Sequence, residues 1–187
     1  MSVTSSVFIA TSLDGFIARE DGSIDWLDRA NATVPSGEDC GYKAFFDSTD
    51  TLVLGRNTFE LVLGFPDYPY GDKRLVVLSS KPVDIPAALA KTVSCSSEAP
   101  ADLVRRLERE GAKHLYVDGG ITIQRFLAAG LIDEVTVTLI PVLLGRGKPL
   151  FGPLPGDVIL TLEGSKAFDF GFVQLRYTLS RGAPGGA

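Results

Sequence analysis

The segment KHLYVDGGITIQRFL, residues 113–127, decides the fold. Residues 115–117 are apolar and favour a strand that is buried on both faces. Ile123 and the pair 126–127 recur at helical spacing, so a helix follows. The intervening pair Gly119–Gly120 allows a tight turn and lets a ligand come close to the backbone. The segment therefore predicts a strand, a glycine turn and a helix, whose N-terminus is either a phosphate site or only a tight connection.

Two further apolar runs end in polar turns of similar chemistry. Residues 51–54 are followed by a glycine turn that carries a cation and a hydroxyl: Gly55, Arg56 and Thr58. Residues 74–78 are followed by two hydroxyls and a cation: Ser79, Ser80 and Lys81. Guanidinium, ammonium and hydroxyl groups suit phosphate. The alternative is structural in both cases, an arginine that solvates a helix start and a polar cap before Pro82.

The alternation of strands and helices predicts an α/β fold with a mostly parallel central sheet. A first strand is expected at residues 7–10 and a later one at 134–140, and the long segment 141–152 is expected to be a loop. Residues 158–162 and 172–179 are expected to close the sheet as antiparallel strands. We predict one domain over residues 1–180 and a disordered tail at 181–187, which is rich in glycine and alanine.

Composition excludes several classes of function. A net charge of −5 argues against nucleic acid and anionic membranes as partners, and no apolar run is long enough to cross a bilayer. Cys40 and Cys95 are isolated, so we expect neither a metal site nor a disulfide, which fits a reducing cytoplasm. His114 is the single histidine. A serine–histidine–acid triad would have to use it, and packing at the sheet is the simpler expectation.

The three polar turns fit one ligand. The carboxyl ends of parallel strands meet at one edge of a sheet, where ligands bind in α/β folds. A ligand with a pyrophosphate and a separate phosphate could contact all three turns, and NADPH is such a ligand. The common glycine-rich dinucleotide fingerprint and the Walker sequence are both absent.

The chain resembles the dihydrofolate reductase superfamily. More closely, it resembles the C-terminal reductase domain of the bifunctional riboflavin-biosynthesis deaminase/reductase, RibD, and the stand-alone bacterial proteins built on that domain. Five segments carry the resemblance: SLDGFIA (12–18), LGRNTFE (54–60), LSSK (78–81), VDGG (117–120) and IPVLLGRG (140–147). The resemblance implies a three-layer α/β/α fold, with NADPH as the hydride donor.

The resemblance also implies a role for individual residues. It places Ala10 and Ile17 beside the nicotinamide, and Gly55, Arg56 and Thr58 at the pyrophosphate and the adenosine end. It places Ser79, Ser80 and Lys81 near the 2′-phosphate, and Gly119, Gly120, Ile121 and Thr122 under the pyrophosphate. Asp14 and Asp118 match acidic positions near the substrate, although those enzymes usually have glutamate at the second position.

The chemistry of reduction sets its own requirements. Hydride transfer needs a pocket that excludes water, and the candidate apolar walls are Phe16, Ile17, Phe65 and Tyr68. A proton must also be supplied. Asp14 or Asp118, or a water that one of them orients, can supply it if burial raises the carboxyl pKa. The alternative for Asp118 is that it only caps the following helix.

The leading hypothesis is an NADPH-dependent reductase of a pyrimidine, pterin or related heterocycle. Within this hypothesis, the specific reaction that we favour is reduction of 5-amino-6-(5-phosphoribosylamino)uracil to the ribitylamino product. The alternatives are dihydrofolate reductase or a broad-range reductase, and a nucleotide-binding protein without catalysis. Strand 135–140 and the strands after it are a candidate homodimer interface.

Overall fold

An eight-stranded sheet organises the part of the chain that the structure, a computed structural model, describes: residues 3–180. The predicted tail lies outside this part. In chain order the strands are β1 (Thr4–Ser12), β2 (Phe16–Ala18), β3 (Thr51–Gly55), β4 (Arg74–Leu78), β5 (Val93–Ser96), β6 (His114–Asp118), β7 (Glu134–Ile140), β8 (Lys148–Pro149), β9 (Leu160–Ala167) and β10 (Val173–Leu179). The sheet has the spatial order β5-β4-β3-β6-β1-β7-β10-β9, and β2 pairs with β8 apart from it.

The direction of the strands confirms the predicted fold class. The pairings from β5 through β7 are parallel, and β10 and β9 close the sheet as antiparallel strands. The parallel strands therefore end at one common edge, here called the carboxyl edge. The turns after β3, β4 and β6 all lie there, because each polar turn directly follows its strand.

Helices cover both faces of the parallel part, as the three-layer prediction required. They are α1 (Asp25–Asn31), α2 (Tyr42–Ser48), α3 (Arg56–Leu63), α4 (Pro100–Arg109) and α5 (Gly120–Ala128). Successive residues of β3 serve different cores, since side chains alternate along a strand. Leu52 and Leu54 pack in the core with α2 and α3, and Val53 packs in the core with α4 and α5.

The two C-terminal strands have little cover. β9 is exposed along almost its whole length, including Leu160 and Leu162. β7 lies inside the sheet between β1 and β10, with Val135 and Val137 in the core. Both edges of β7 are therefore paired within the sheet, and β9 has the free edge at this end.

Two segments near the carboxyl edge form a small flap. The segment 141–152, expected to be a loop, contains β8, which pairs with β2 through Phe16 and Pro149. The Leu150 amide donates to the Gly15 carbonyl at 3.0 Å, and the Leu150 side chain is buried. The flap thus joins the turn after β1 to the segment after β7. No helix within residues 3–180 has the length and apolar character to span a membrane.

Candidate active site at the carboxyl edge

Two glycine turns face each other at the carboxyl edge. Gly119 has a φ of +91°, and a Cβ there would lie 2.5 Å from Thr58 Oγ1. A Cβ at Gly55 would lie 2.8 Å from Thr122 Oγ1. A side chain at either glycine would therefore collide with a threonine hydroxyl of the helix that the other glycine precedes. The contact brings together two of the three predicted phosphate motifs.

Both turns open helices that lack a side-chain cap. The N-caps of α3 and α5 are Gly55 and Gly119, and neither glycine has a side chain that could cap its helix. The first N–H groups of a helix have no partner within it, and the helix dipole places positive charge there. Ile121, in the first turn of α5, is 71% exposed, whereas Thr122 is buried. The paired helix starts can therefore receive a diphosphate.

The remaining predicted phosphate ligands differ in how free their side chains are to bind a ligand. The Ser79 hydroxyl donates to the Lys81 carbonyl at 2.7 Å and accepts from the Lys81 amide at 3.0 Å, so it serves its own turn. Ser80 and the Lys81 side chain are exposed. Arg56 pairs with Glu60 at 2.9 Å through one nitrogen, which leaves most of its N–H donors for a ligand.

The two predicted nicotinamide neighbours lie in different surroundings. Ala10, on β1, is half-buried and lines a cavity. Ile17, on β2, reaches the start of α5, because a Cβ at Gly120 would lie 2.9 Å from its Cδ1 atom. The flap therefore packs directly on the glycine turn.

The cavity beside Ala10 lies on the sheet face that α1 and α2 cover, and its volume is about 260 Å³. Its apolar walls come from β1, α1, β7 and two loop segments: Phe8, Ala10, Leu27, Val34, Ile140 and Phe172. The walls expected from the sequence, Phe16, Ile17, Phe65 and Tyr68, do not line it. The alternation of Phe8 and Ala10 on one face of β1 was the signal available in the sequence.

Asp118 ends β6 and is half-buried. Burial raises its pKa to about 6, although the Gly119 amide, at 2.7 Å, opposes that shift. Burial and then the charge of Asp118 raise the pKa of Tyr42 to about 12. Tyr42 also lines the cavity, so the charge of Asp118 acts on a residue of the cavity wall. The carboxylate does not cap α5 in the usual way, since its bond is to the N-cap residue itself.

Asp14 has the opposite environment. Its exposed carboxylate accepts hydrogen bonds from the Ser12 hydroxyl at 2.6 Å and from the Leu144 and Gly145 amides at 3.1 and 2.7 Å. These bonds, that of Ser12 first, lower its pKa. The condition for proton donation, a pKa raised by burial, is met by Asp118 and not by Asp14. Asp14 instead ties the turn after β1 to the segment after β7.

The single histidine lies at the opposite, amino edge of the sheet. His114 Nε2 is 2.7 Å from the Ser6 hydroxyl, and its Nδ1 is 3.1 Å from the Ser48 carbonyl. The nearby acid, Glu134, contacts Ser6 rather than the imidazole. This order differs from that of a catalytic triad. Within residues 3–180, no group of three or more His, Cys, Asp or Glu side chains is arranged to hold a metal ion.

The sheet order and the glycine edge define an α/β protein with the dihydrofolate reductase-like fold. The family model of the RibD C-terminal domain matches residues 4–174. The chain belongs to that family, and the comparisons support a reductase of it.

Similar proteins cover the whole fold. YwjB of Bacillus subtilis (strain 168), an uncharacterized protein, is 40% identical over 174 residues, which cover 91% of this chain and 95% of YwjB. A Shewanella sp. PV-4 crystal structure, named as a candidate riboflavin biosynthesis protein, has a TM-score of 0.88 and 39% identity, covering 95% of this chain and 99% of that one. The Thermotoga maritima deaminase/reductase has a TM-score of 0.73 and 14% identity; the match covers 96% of this chain and 57% of that protein, and shows the fold alone.

Proposed function

We propose that the protein is an NADPH-dependent reductase of a small heterocycle. The observation that carries this is the pair of uncapped helix starts at Gly55 and Gly119, which face each other at the carboxyl edge. The cavity at Ala10 lies near the carboxyl ends of β1 and β7, at the same end of the sheet. A diphosphate suits the helix starts, and an apolar cavity suits a planar ring. The dinucleotide and its acceptor would thus meet along one edge of the sheet.

The residues at the edge fit each part of NADPH. The amides of Gly120, Ile121 and Thr122, with the turn at Gly55 and Thr58, would bind the pyrophosphate over Gly119. Arg56, Ser80 and Lys81 would bind the 2′-phosphate, with Ser79 holding the Lys81 backbone. Ala10 and Ile17 would flank the nicotinamide, which supplies a hydride when bound.

The proton is assigned to Asp118. Reduction of an imine or a ring-opened sugar needs one proton for each hydride. A carboxyl with a pKa of about 6 retains a proton in part of the molecules near neutral pH. Asp14 is assigned a positioning role, because its ionised carboxylate holds the flap segment at Leu144 and Gly145.

The acceptor proposed first is a uracil of the riboflavin pathway. The Thermotoga maritima relative is named a 5-amino-6-(5-phosphoribosylamino)uracil reductase, and the family match supports the same reaction type here. A screen of NADPH oxidation would begin with that compound and dihydrofolate.

Fluorescence titration with NADPH and NADH tests the cofactor. We expect NADPH to bind more tightly, and Lys81→Ala to weaken NADPH binding about tenfold without changing NADH binding. Lys91→Ala is the matched control, since Lys91 is also exposed but precedes β5 at the amino edge. If neither NADPH nor NADH binds, the proposal is overturned.

We also propose a cytoplasmic homodimer. β9 and β10 support the dimer, because they leave Leu160, Leu162 and Val173 at least one-third exposed. Cys40 and Cys95 are free, which suits a reducing compartment. Sedimentation at micromolar concentration should give twice the chain mass, and a monomer would reject the dimer.

A further inference from the structure

Thr138 has an unused hydrogen-bond donor at the wall of the cavity. It lies on β7, is 5% exposed and lines the cavity beside Ala10 and Ile140. Its Oγ1 accepts from Gln174 Nε2 at 3.0 Å. A threonine hydroxyl also has one proton to donate. No residue within 3–180 accepts that proton, so a molecule in the cavity is the available acceptor.

Gln174 holds this hydroxyl in place. Its Nε2 also donates to the Cys40 carbonyl at 2.9 Å. A carbonyl can only accept, so this contact fixes which end of the Gln174 amide is the nitrogen. Cys40 is itself held in a left-handed conformation, with φ of +55°, and its amide donates to Glu38 at 2.7 Å. The orientation of the Thr138 hydroxyl is therefore fixed by Gln174 on β10 and, through it, by the loop at Cys40.

The charges around the cavity are unsuited to an anion. Among its described lining residues there is no lysine or arginine, while Glu38 and Asp39 are both present. Amide donors, that of Lys43 first, lower the pKa of Asp39, so it remains ionised. Lys166, a cation at this rim, is 3.8 Å from Glu38. Lys43, which is close to Asp39, pairs with Asp47. A phosphate in the cavity would meet carboxylates without a free cation.

The adjoining groove does not change this charge balance. It shares Phe8 and Cys40 with the cavity and contains Lys166 and Arg176, but also Glu134 and Glu163. Two cations and two carboxylates give no net attraction for a phosphate that extends from the cavity. The groove therefore fits a neutral extension better than a phosphorylated one.

We propose that the cavity selects an unphosphorylated, uncharged heterocycle, one of whose ring carbonyls accepts a hydrogen bond from Thr138. Thr138 is then a specificity-determining residue, and Gln174 positions it. This deepens the proposed reductase function and rests on it. It also gives the acceptor a chemistry that differs from the phosphoribosyl compound proposed first.

A pair of acceptors tests the charge argument. NADPH oxidation is measured with 5-amino-6-(ribosylamino)uracil and with its 5′-phosphate, which differ in the phosphate alone. We expect kcat/KM to be about tenfold or more higher for the unphosphorylated compound. Equal rates, or a preference for the phosphate that Arg176→Ala removes, would overturn the proposal. Failure of both compounds to react or bind would do the same.

Variants of the cavity wall test the hydrogen bond. Thr138→Val keeps the shape of the side chain and removes the donor, so KM for the uracil should rise about tenfold to a hundredfold with little change in kcat. Thr138→Ser should restore KM to near the original value. Thr161→Val is the control, because Thr161 is an exposed strand residue on β9 and lines neither the cavity nor the groove.

Gln174→Met provides a second variant that leaves Thr138 intact. It removes both amide bonds, so the Thr138 hydroxyl can turn, and KM should rise by a smaller factor. If neither Thr138→Val nor Gln174→Met changes KM by more than twofold, Thr138 has no such role. The NADPH titration distinguishes failure of the reductase proposal from failure of the cavity proposal. If the unaltered protein binds neither dinucleotide, the reductase proposal is rejected. If it binds NADPH but the variants leave KM unchanged, only the role of the cavity is rejected.

Discussion

The Asp14–Gly15 and Asp118–Gly119 turns have the same two residues near the ends of neighbouring strands, β1 and β6. Both glycines have positive φ, +85° and +91°. The two turns differ in the burial and pKa of the carboxylate and in the space around the glycine. The Asp14 carboxylate is exposed and receives hydrogen bonds that lower its pKa, whereas burial raises the pKa of Asp118 to about 6. A Cβ at Gly15 would meet nothing within 4 Å, and one at Gly119 would meet Thr58.

The difference shows how one dipeptide acquires two functions. At Asp14 the backbone amides of a distant segment stabilise the charged form, so the residue is suited to hold a flap. At Asp118 the surroundings disfavour charge, so the residue is suited to carry a proton. Gly119 permits the close contact between two helix starts, whereas Gly15 only permits the turn.

Asparagine at each acid should give the largest contrast. Asp118→Asn should lower kcat/KM for NADPH-dependent reduction by roughly 10²–10⁴-fold, because the proton donor is lost. Asp14→Asn should lower it about tenfold or less, through a displaced flap. Rates measured from pH 5 to 8 should show an apparent pKa near 6 in the unaltered protein and not in Asp118→Asn. Equal losses at both positions would contradict the division of roles.

Alanine at each glycine should separate backbone strain from steric contact. Both variants force an alanine to a positive φ, at a cost of about 1–2 kcal/mol. Gly119→Ala also places its Cβ 2.5 Å from Thr58 Oγ1, which should add about 1–3 kcal/mol. Urea unfolding measures both losses. Gly15→Ala serves as the matched control, and an equal loss in the two variants would show that Thr58 yields without cost.

The sequence could predict the buried parallel strands and the three polar turns, because both depend on local patterns. Apolar runs at β3, β4 and β6 indicate burial, and the residues that follow each run are adjacent in the chain. β5 was missed, since Val93 is its single large apolar residue and its pairing with β4 is a tertiary contact. The same holds for β8, whose two residues pair with β2 far away in sequence.

The difference between the two acids could not be predicted from the sequence. The amides that hold Asp14 belong to Leu144 and Gly145, more than 100 residues away. The residues that line the cavity could not be predicted for the same reason. Phe8, Leu27 and Phe172 lie far apart in the sequence, and only the folded sheet brings them together.

The pH dependence of stability should have opposite signs for the two acids. The pKa of Asp118 is raised from 3.8 to about 6 by folding, so its contribution is full below pH 4 and is lost as the pH rises through 6. Asp118→Asn should therefore match the unaltered protein at pH 4 and exceed its free energy of unfolding at pH 7, by on the order of 2 kcal/mol. Urea unfolding at both pH values measures the difference. A constant gap between the two proteins would mean that Asp118 ionises freely in the fold.

The smallest expected effect is local and concerns the flap. The lowered pKa of Asp14 means that its stabilising contribution is present above pH 4 and is lost only as the pH falls through its folded value. Asp14→Asn should weaken the bonds from the Leu144 and Gly145 amides, because a neutral amide oxygen accepts more weakly than a carboxylate. Hydrogen exchange at these two amides should therefore be faster at pH 7, while the amides of β3, such as that of Val53, keep their protection. The Asp118→Asn protein is the control, since it leaves both flap amides bonded to Asp14. If the flap amides exchange alike in both variants, Asp14 does not hold the flap, and the contrast between the two turns reduces to the proton at Asp118.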